Sequence, residues 1–73
     1  MTAAYSTAPG LPLTPRQREV LWSAACGASV KETAGELGIA ESTVLTIRAS
    51  ACQRLGARTI GEAIAVAYRT GAF

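Results

Sequence analysis

The side chains able to do acid–base or nucleophilic chemistry in this chain are few: five glutamates and two cysteines, with no histidine and no aspartate. Without His or Asp there is no Ser-His-Asp triad, no imidazole metal ligand and no aspartate dyad. Cys26 and Cys52 are too few for a disulfide framework and lack the paired spacing of a metal site. They are expected as small, part-buried apolar residues. No arrangement of basic neighbours argues for a reactive, redox-sensing thiol. Neither an enzyme activity nor a metal or cofactor is expected, which leaves binding chemistry. Seven Lys/Arg against five Glu give a net charge of +2. That sign suits a polyanion, although domains that bind nucleic acid usually carry a denser basic patch.

Such residues must be positioned by a small scaffold. Seventy-three residues allow one domain, and a chain of this size buries only about 60% of its unfolded surface. With 49% hydrophobic and 16% charged residues the chain is globular rather than disordered. No stretch approaches the roughly 18 apolar residues of a membrane span, and no secretory leader is visible. A cytoplasmic protein is expected. Residues 1–12 are uncharged and hold two of the three prolines, so they read as a flexible arm. Residues 13–73 read as the folded domain. The initiator Met suggests a complete natural chain; a domain excised from a larger regulator is the reading kept beside it.

The punctuation after residue 13 is regular. Thr14-Pro15-Arg16-Gln17, Ser29-Val30-Lys31-Glu32 and Thr59-Ile60-Gly61-Glu62 each have the form of a capping box opening a helix. Gly27, Gly38, Gly56 and Gly71 fall where helices would stop. A further helix is expected from Glu41 to Leu55. The pattern predicts an all-α fold of four helices without strands. The second and third helices, joined by a short turn at Gly38, have the helix-turn-helix layout. In that layout Gly38 supplies a positive φ, Ala34 lets the helices approach, and Leu37 and Ile39 anchor the turn. The expected core is Val20, Leu21, Ala24, Ala28, Ala34, Leu37, Ile39, Val44, Ala51, Leu55, Ile60 and Ile64, thin because many of these are Ala.

The run Leu13-Thr14-Pro15-Arg16-Gln17-Arg18-Glu19-Val20-Leu21 resembles the opening of the LuxR/GerE-type (FixJ/NarL-like) helix-turn-helix domain. The resemblance continues without gaps through Gly27, Ser29-Val30-Lys31-Glu32, Ala34, Glu36-Leu37-Gly38-Ile39 and Glu41-Ser42-Thr43-Val44. It extends to Arg54-Leu55-Gly56 and Thr59 through Ala65. It implies a four-helix DNA-binding domain whose third helix, about residues 41–55, enters the major groove of double-stranded DNA. It also implies homodimerisation through the fourth helix, with Ala65, Val66 and Arg69 near the seam. Such domains usually follow a sensory or receiver domain; none is visible here, so a stand-alone regulator is expected.

The departures from the family pattern bear on specificity. On a wheel of about 100° per residue, Val44, Ile47, Arg48, Ala51 and Leu55 fall within about 60° of the core direction. Ile47 stands where the family usually has a ring. The outer face holds Ser42, Leu45, Thr46, Ala49, Ser50 and Gln53, none of them charged. Resemblance places Leu45, Thr46 and Ala49 at the base edges, with Leu45 and Ala49 at positions often occupied by Lys or Arg; Ser42 and Thr43, able to bond phosphates or bases, complete the set expected nearest the bases. Arg or Lys reads guanine through O6 and N7, whereas Leu and Ala can only pack on thymine methyls. Readout is therefore expected to be AT-biased or shape-based.

Arg16, Arg18, Lys31, Arg54 and Arg58 are the candidate phosphate contacts, and the helix N-termini at Val30 and Ile60 are expected to add free N–H groups. Arg48 is expected to lie beside the core with its stem packed and its head at the domain edge. Trp22 reads either as a core edge covered by the arm or as an anchor for a protein partner. The first reading of the whole is a sequence-specific DNA-binding transcription regulator. The alternative is a protein-interaction module on the same fold. It would dock through the neutral outer face and Trp22 on another regulator or on the transcription machinery, with weak or no DNA binding.

Overall fold

The computed structural model describes residues 13–73; the expected arm, residues 1–12, lies outside them. Four helices follow in order: α1 (Pro15–Ala25), α2 (Val30–Leu37), α3 (Glu41–Leu55) and α4 (Ile60–Thr70). Among the described residues there is no strand, and no helix is long and apolar enough to cross a membrane.

The helix starts follow from the chemistry of their caps. Thr14 Oγ1 accepts from the Gln17 N–H at 3.1 Å, while the Thr14 N–H donates to Gln17 Oε1 at 2.9 Å. Ser29 and Glu32 repeat the exchange at 3.0 and 2.8 Å. Each box satisfies two backbone donors that a helix start would otherwise leave open. The third box forms only by half. Thr59 Oγ1 accepts from the Glu62 N–H at 3.1 Å, but Glu62 Oε1 accepts at 2.7 Å from the N–H of Arg58, one residue before the cap. The cap residue Thr59 is strongly extended, with φ −134°. At α1 the stop comes one residue earlier than Gly27: Cys26 is the cap.

The core has two parts that share α1 and α3. Adjacent residues on α1 feed different parts. Val20 joins Ala34 of α2 and Val44 of α3, with Val30, Leu37, Ile39 and Ile47 packed around them. Leu21 joins Leu13, Ala51 and Leu55 of α3, and Ala63 and Ala67 of α4. Thus α2 packs on the N-terminal half of α3 and α4 on its C-terminal half. The expected core is corrected at several places. Ala24, Ala28, Leu37, Ile39, Ile60 and Ile64 are only half-buried, whereas Leu13, Ala63 and Ala67 are buried. α4 lies close enough for two alanines to fill its contact line, which pushes Ile60 and Ile64 to its flanks.

Among the described residues two buried ones are polar, Ser23 and Thr33. Ser23 Oγ lies 2.8 Å from Thr33 Oγ1 and donates to Glu36 Oε1 at 3.2 Å. Since the Ser23 proton goes to Glu36, Thr33 is the donor to Ser23. The resulting chain of hydroxyls ties α1 to α2 and ends on a carboxylate, which strengthens the last bond.

Candidate nucleic-acid interface

The turn between α2 and α3 aims the candidate reading helix. Gly38 caps α2 with φ 67° and ψ 36°, the left-handed region where a side chain is strained. The N–H of Ile39 donates to the Ala34 carbonyl at 3.1 Å, closing the turn. α3 then runs 15 residues, about 22 Å at 1.5 Å per residue. Its inner side is held by Val44, Ala51 and Leu55.

All five candidate base-reading residues, Ser42, Thr43, Leu45, Thr46 and Ala49, are exposed on α3, as is Gln53. Helical spacing puts Ser42, Thr46, Ala49 and Gln53 on the centre of the outer strip, Leu45 on one edge and Thr43 on the other. Leu45 is 56% exposed, a large apolar side chain in a polar strip. Thr46 Oγ1 donates to the Ser42 carbonyl at 3.1 Å. Its proton is thereby committed and the hydroxyl presents acceptor lone pairs outward.

The five candidate phosphate residues are less uniform. Lys31 is exposed and makes no ion pair among the described residues. Arg54 is half-buried in the last turn of α3, where its charge complements the helix dipole. Arg16 pairs with Glu19 at 3.2 Å and Arg58 Nε lies 4.0 Å from Glu62. Exposed pairs of this kind are worth about 0–1 kcal/mol and are easily exchanged. Arg18 turns its Nε to the Ala72 carbonyl at 3.3 Å, a contact that the sequence did not signal.

The helix starts at Val30 and Ile60 are occupied in part: Ser29 and Thr59 accept from the N–H groups of Glu32 and Glu62, and the N–H groups of the first helical residues stay outside these caps. Ser29 and Thr59 cap those helices, and Glu32 and Glu62 add negative charge in their first turns. The helix start without a side-chain cap is that of α3, where Ala40 is the N-cap, and Glu41 adds negative charge in its first turn as well. Arg48 lies as expected at the core edge: it is half-buried, and its Nη2 donates to the Ala28 carbonyl at 3.4 Å. Its Nε is buried without a hydrogen-bond partner.

The thiols divide. Cys26 is exposed, against the expectation of part-burial, because as the cap of α1 it projects past the packed part of the helix. Cys52 is half-buried, and burial pushes its thiol above the ordinary 9.0, with Arg48 lowering it and Glu62 raising it further. Arg48, one helical turn back, is a basic neighbour that the sequence reading passed over, yet burial outweighs it. Among the described residues no three His, Cys, Asp or Glu side chains converge as a metal site would require.

On α4, Ala65 and Arg69 are exposed and Val66 is half-buried against the domain's own core. Tyr68 is 66% exposed and Trp22 on α1 is 49% exposed. Phe73 stands between them, edge-on to both, with ring centroids 5.1 Å from Trp22 and 5.3 Å from Tyr68. Trp22 is thus flanked by the C-terminal segment.

Comparison with known proteins agrees with this geometry. The chain is 36% identical over 58 residues to the probable HTH-type transcriptional regulator GfsR of Streptomyces halstedii, an alignment covering 80% of this chain and 24% of that protein. The chain therefore spans about a quarter of the length of this relative. No solved structure matches it significantly. Residues 11–67 match the GerE family of bacterial regulatory proteins, and with nearly the whole helical body inside the match, the chain belongs to the LuxR family.

Proposed function

We propose that this domain is a sequence-specific DNA-binding transcription regulator that lays α3 in the major groove of duplex DNA. The observation that carries the reading is the outer strip of α3. It follows the Gly38 turn, and Ser42, Leu45, Thr46, Ala49 and Gln53 on it are exposed, with Ser50 half-buried at its edge. Ser42, Thr43, Leu45, Thr46 and Ala49 face the base edges. Thr46, with its proton held by the Ser42 carbonyl, accepts from an adenine or cytosine amino group. Leu45 and Ala49 pack on thymine methyls. Arg16, Arg18, Lys31, Arg54 and Arg58 contact phosphates, and the open start of α3 behind Ala40 adds backbone N–H donors to the same work. α4 pairs two copies through Ala65, Val66 and Arg69. Transcription regulation is what the name of the Streptomyces halstedii relative states, and the family carries the same role to this chain.

The test is fluorescence anisotropy of a labelled duplex of about 20 base pairs, two half-sites one helical turn apart, at several salt concentrations. Binding should weaken with salt, with a log–log slope no steeper than about −4.5 per protomer if all five cations meet phosphates. No binding at low salt by a folded sample would sink the reading.

The exposure of Leu45 favours a second reading, a protein-interaction module that docks through this strip with little DNA binding. Leu45→Lys separates the two. It places a donor where guanine O6 and N7 are read and should tighten duplex binding under the first reading. Under the second it weakens a protein contact and leaves duplex binding negligible.

A further inference from the structure

A groove of about 730 Å³ lies between α1 and α2, and no residue of α3 lines it. Its charged lining residues are Glu19, Glu32 and Glu36, three of the five carboxylates in the chain, with no Lys or Arg among them. Each accepts a hydrogen bond at Oε1, from Arg16, from the Ser29 N–H and from the Ser23 hydroxyl respectively. The second oxygen of each carboxylate is therefore open to another donor. At the rim stands Trp22, half-exposed, and beyond it a second concavity continues the surface over Pro15, Arg18 and Phe73.

Gly35 is the second, independent feature. It sits inside α2 with a helical backbone, and a Cβ built on it would meet nothing within 4 Å. Neither a positive φ nor a packing contact within the domain demands glycine there. Glycine in a helix interior is destabilising, and its use is close approach of another group to the backbone. Gly35 lines the acidic groove, so the approach it permits is from the groove side.

We propose that this groove docks an amphipathic, Lys/Arg-bearing helix of a partner protein. The cations meet Glu19, Glu32 and Glu36, the apolar stripe of the incoming helix covers Trp22, and its backbone passes close over Gly35. This is recognition of a helix in a groove, with a tryptophan anchor and complementary charge that selects the partner. It uses a different face from the candidate DNA-reading strip, so one domain can hold both ligands together.

The test is a selection from a display library of helical peptides of mixed charge against the folded chain. The selected peptides are then measured by anisotropy on the original protein and on Gly35→Leu. The expected result is enrichment of net-positive amphipathic peptides whose binding falls at least about tenfold on Gly35→Leu, the size of loss that truncating an interface hot spot brings. Duplex binding, measured in parallel, stays unchanged on that variant, so failure of this proposal and failure of the DNA reading are told apart. Cys26 lines the groove and gives a readout on the unaltered chain: a bound peptide should slow its alkylation, which also covers the case that Gly35→Leu misfolds. Enrichment of neutral or acidic peptides would overturn the proposal. So would no enrichment, binding that leaves Cys26 alkylation unaltered, or protection of Cys26 by self-association alone.

Discussion

At the residue scale, Gly35 inside α2 and Gly38, the cap that ends it, have opposite meanings. Gly38 needs its φ of 67°, and space is not the issue, since nothing lies within 4 Å of its virtual Cβ. Gly38→Ala should therefore cost about 1–2 kcal/mol, the strain of an L-residue in the left-handed region. Gly35→Ala, in open helical space, should stabilise by about 0.5–1 kcal/mol. Urea titration followed by circular dichroism reads both, and equal effects would refute the distinction. Cys52 makes a second prediction. Burial raises its folded pKa above 9.0, so the folded chain holds its proton where the unfolded chain has released it. Stability is then full below that pH and falls as pH rises through and beyond it. Cys52→Ala should remove this component of the alkaline decline in denaturation midpoints. The sequence made Gly38 legible because its turn lies between two capped, periodic segments. It left Cys26 and Cys52 indistinguishable, since whether a thiol is covered depends on where the helix ends.

At the scale of elements, α1, α2 and α4 were legible because start and stop signals are local: a hydroxyl at the cap, Gln or Glu at the third position, a glycine past the end; α3, which starts behind Ala40, was legible from the glycines on either side of it. The contents of the packing were less so. Ile60 and Ile64 looked like core, but Ala63 and Ala67 are the residues at 0% exposure, because interhelical distance decides which side chain fits, and distance is not written in periodicity. The link between α1 and α2 was missed for a related reason. Ser23 and Thr33 lie on inward faces, but a buried hydroxyl is tolerated only with a partner, and the partners are 10 and 13 residues apart in sequence. Their coupling is testable. Ser23→Ala leaves the buried Thr33 hydroxyl without its acceptor and should cost about 1–3 kcal/mol. Thr33→Val added to it removes the stranded group and should recover part of the loss, giving a positive coupling in a double-mutant cycle. Additive losses in urea denaturation would show that the two hydroxyls act separately.

At the scale of the whole molecule, α3 is shared by two partial cores, and this divides the labour of the domain. The α2 side holds the N-terminal half of α3, where the candidate base-reading residues stand. The α4 side holds its C-terminal half and turns Ala65, Tyr68 and Arg69 outward. A contact between copies through α4 would therefore fix the spacing of two reading helices without touching either reading strip. Ala65 is the position at which to test this, because it is exposed and its replacement disturbs no core packing, whereas Val66 is also part of the domain's own core. A glutamate there would set a charge of one sign against its symmetry mate in the seam. Ala65→Glu should leave monomer stability within about 0.5 kcal/mol of the parent, as surface substitutions usually do. In sedimentation velocity it should shift the chain to monomer. On DNA it should retain binding to a single half-site and lose the gain from a second, properly spaced one, because the two binding events are then no longer linked. A dimer that survives Ala65→Glu would move the seam off α4. An unchanged gain from the second half-site would mean that two domains bind without touching through this helix at all.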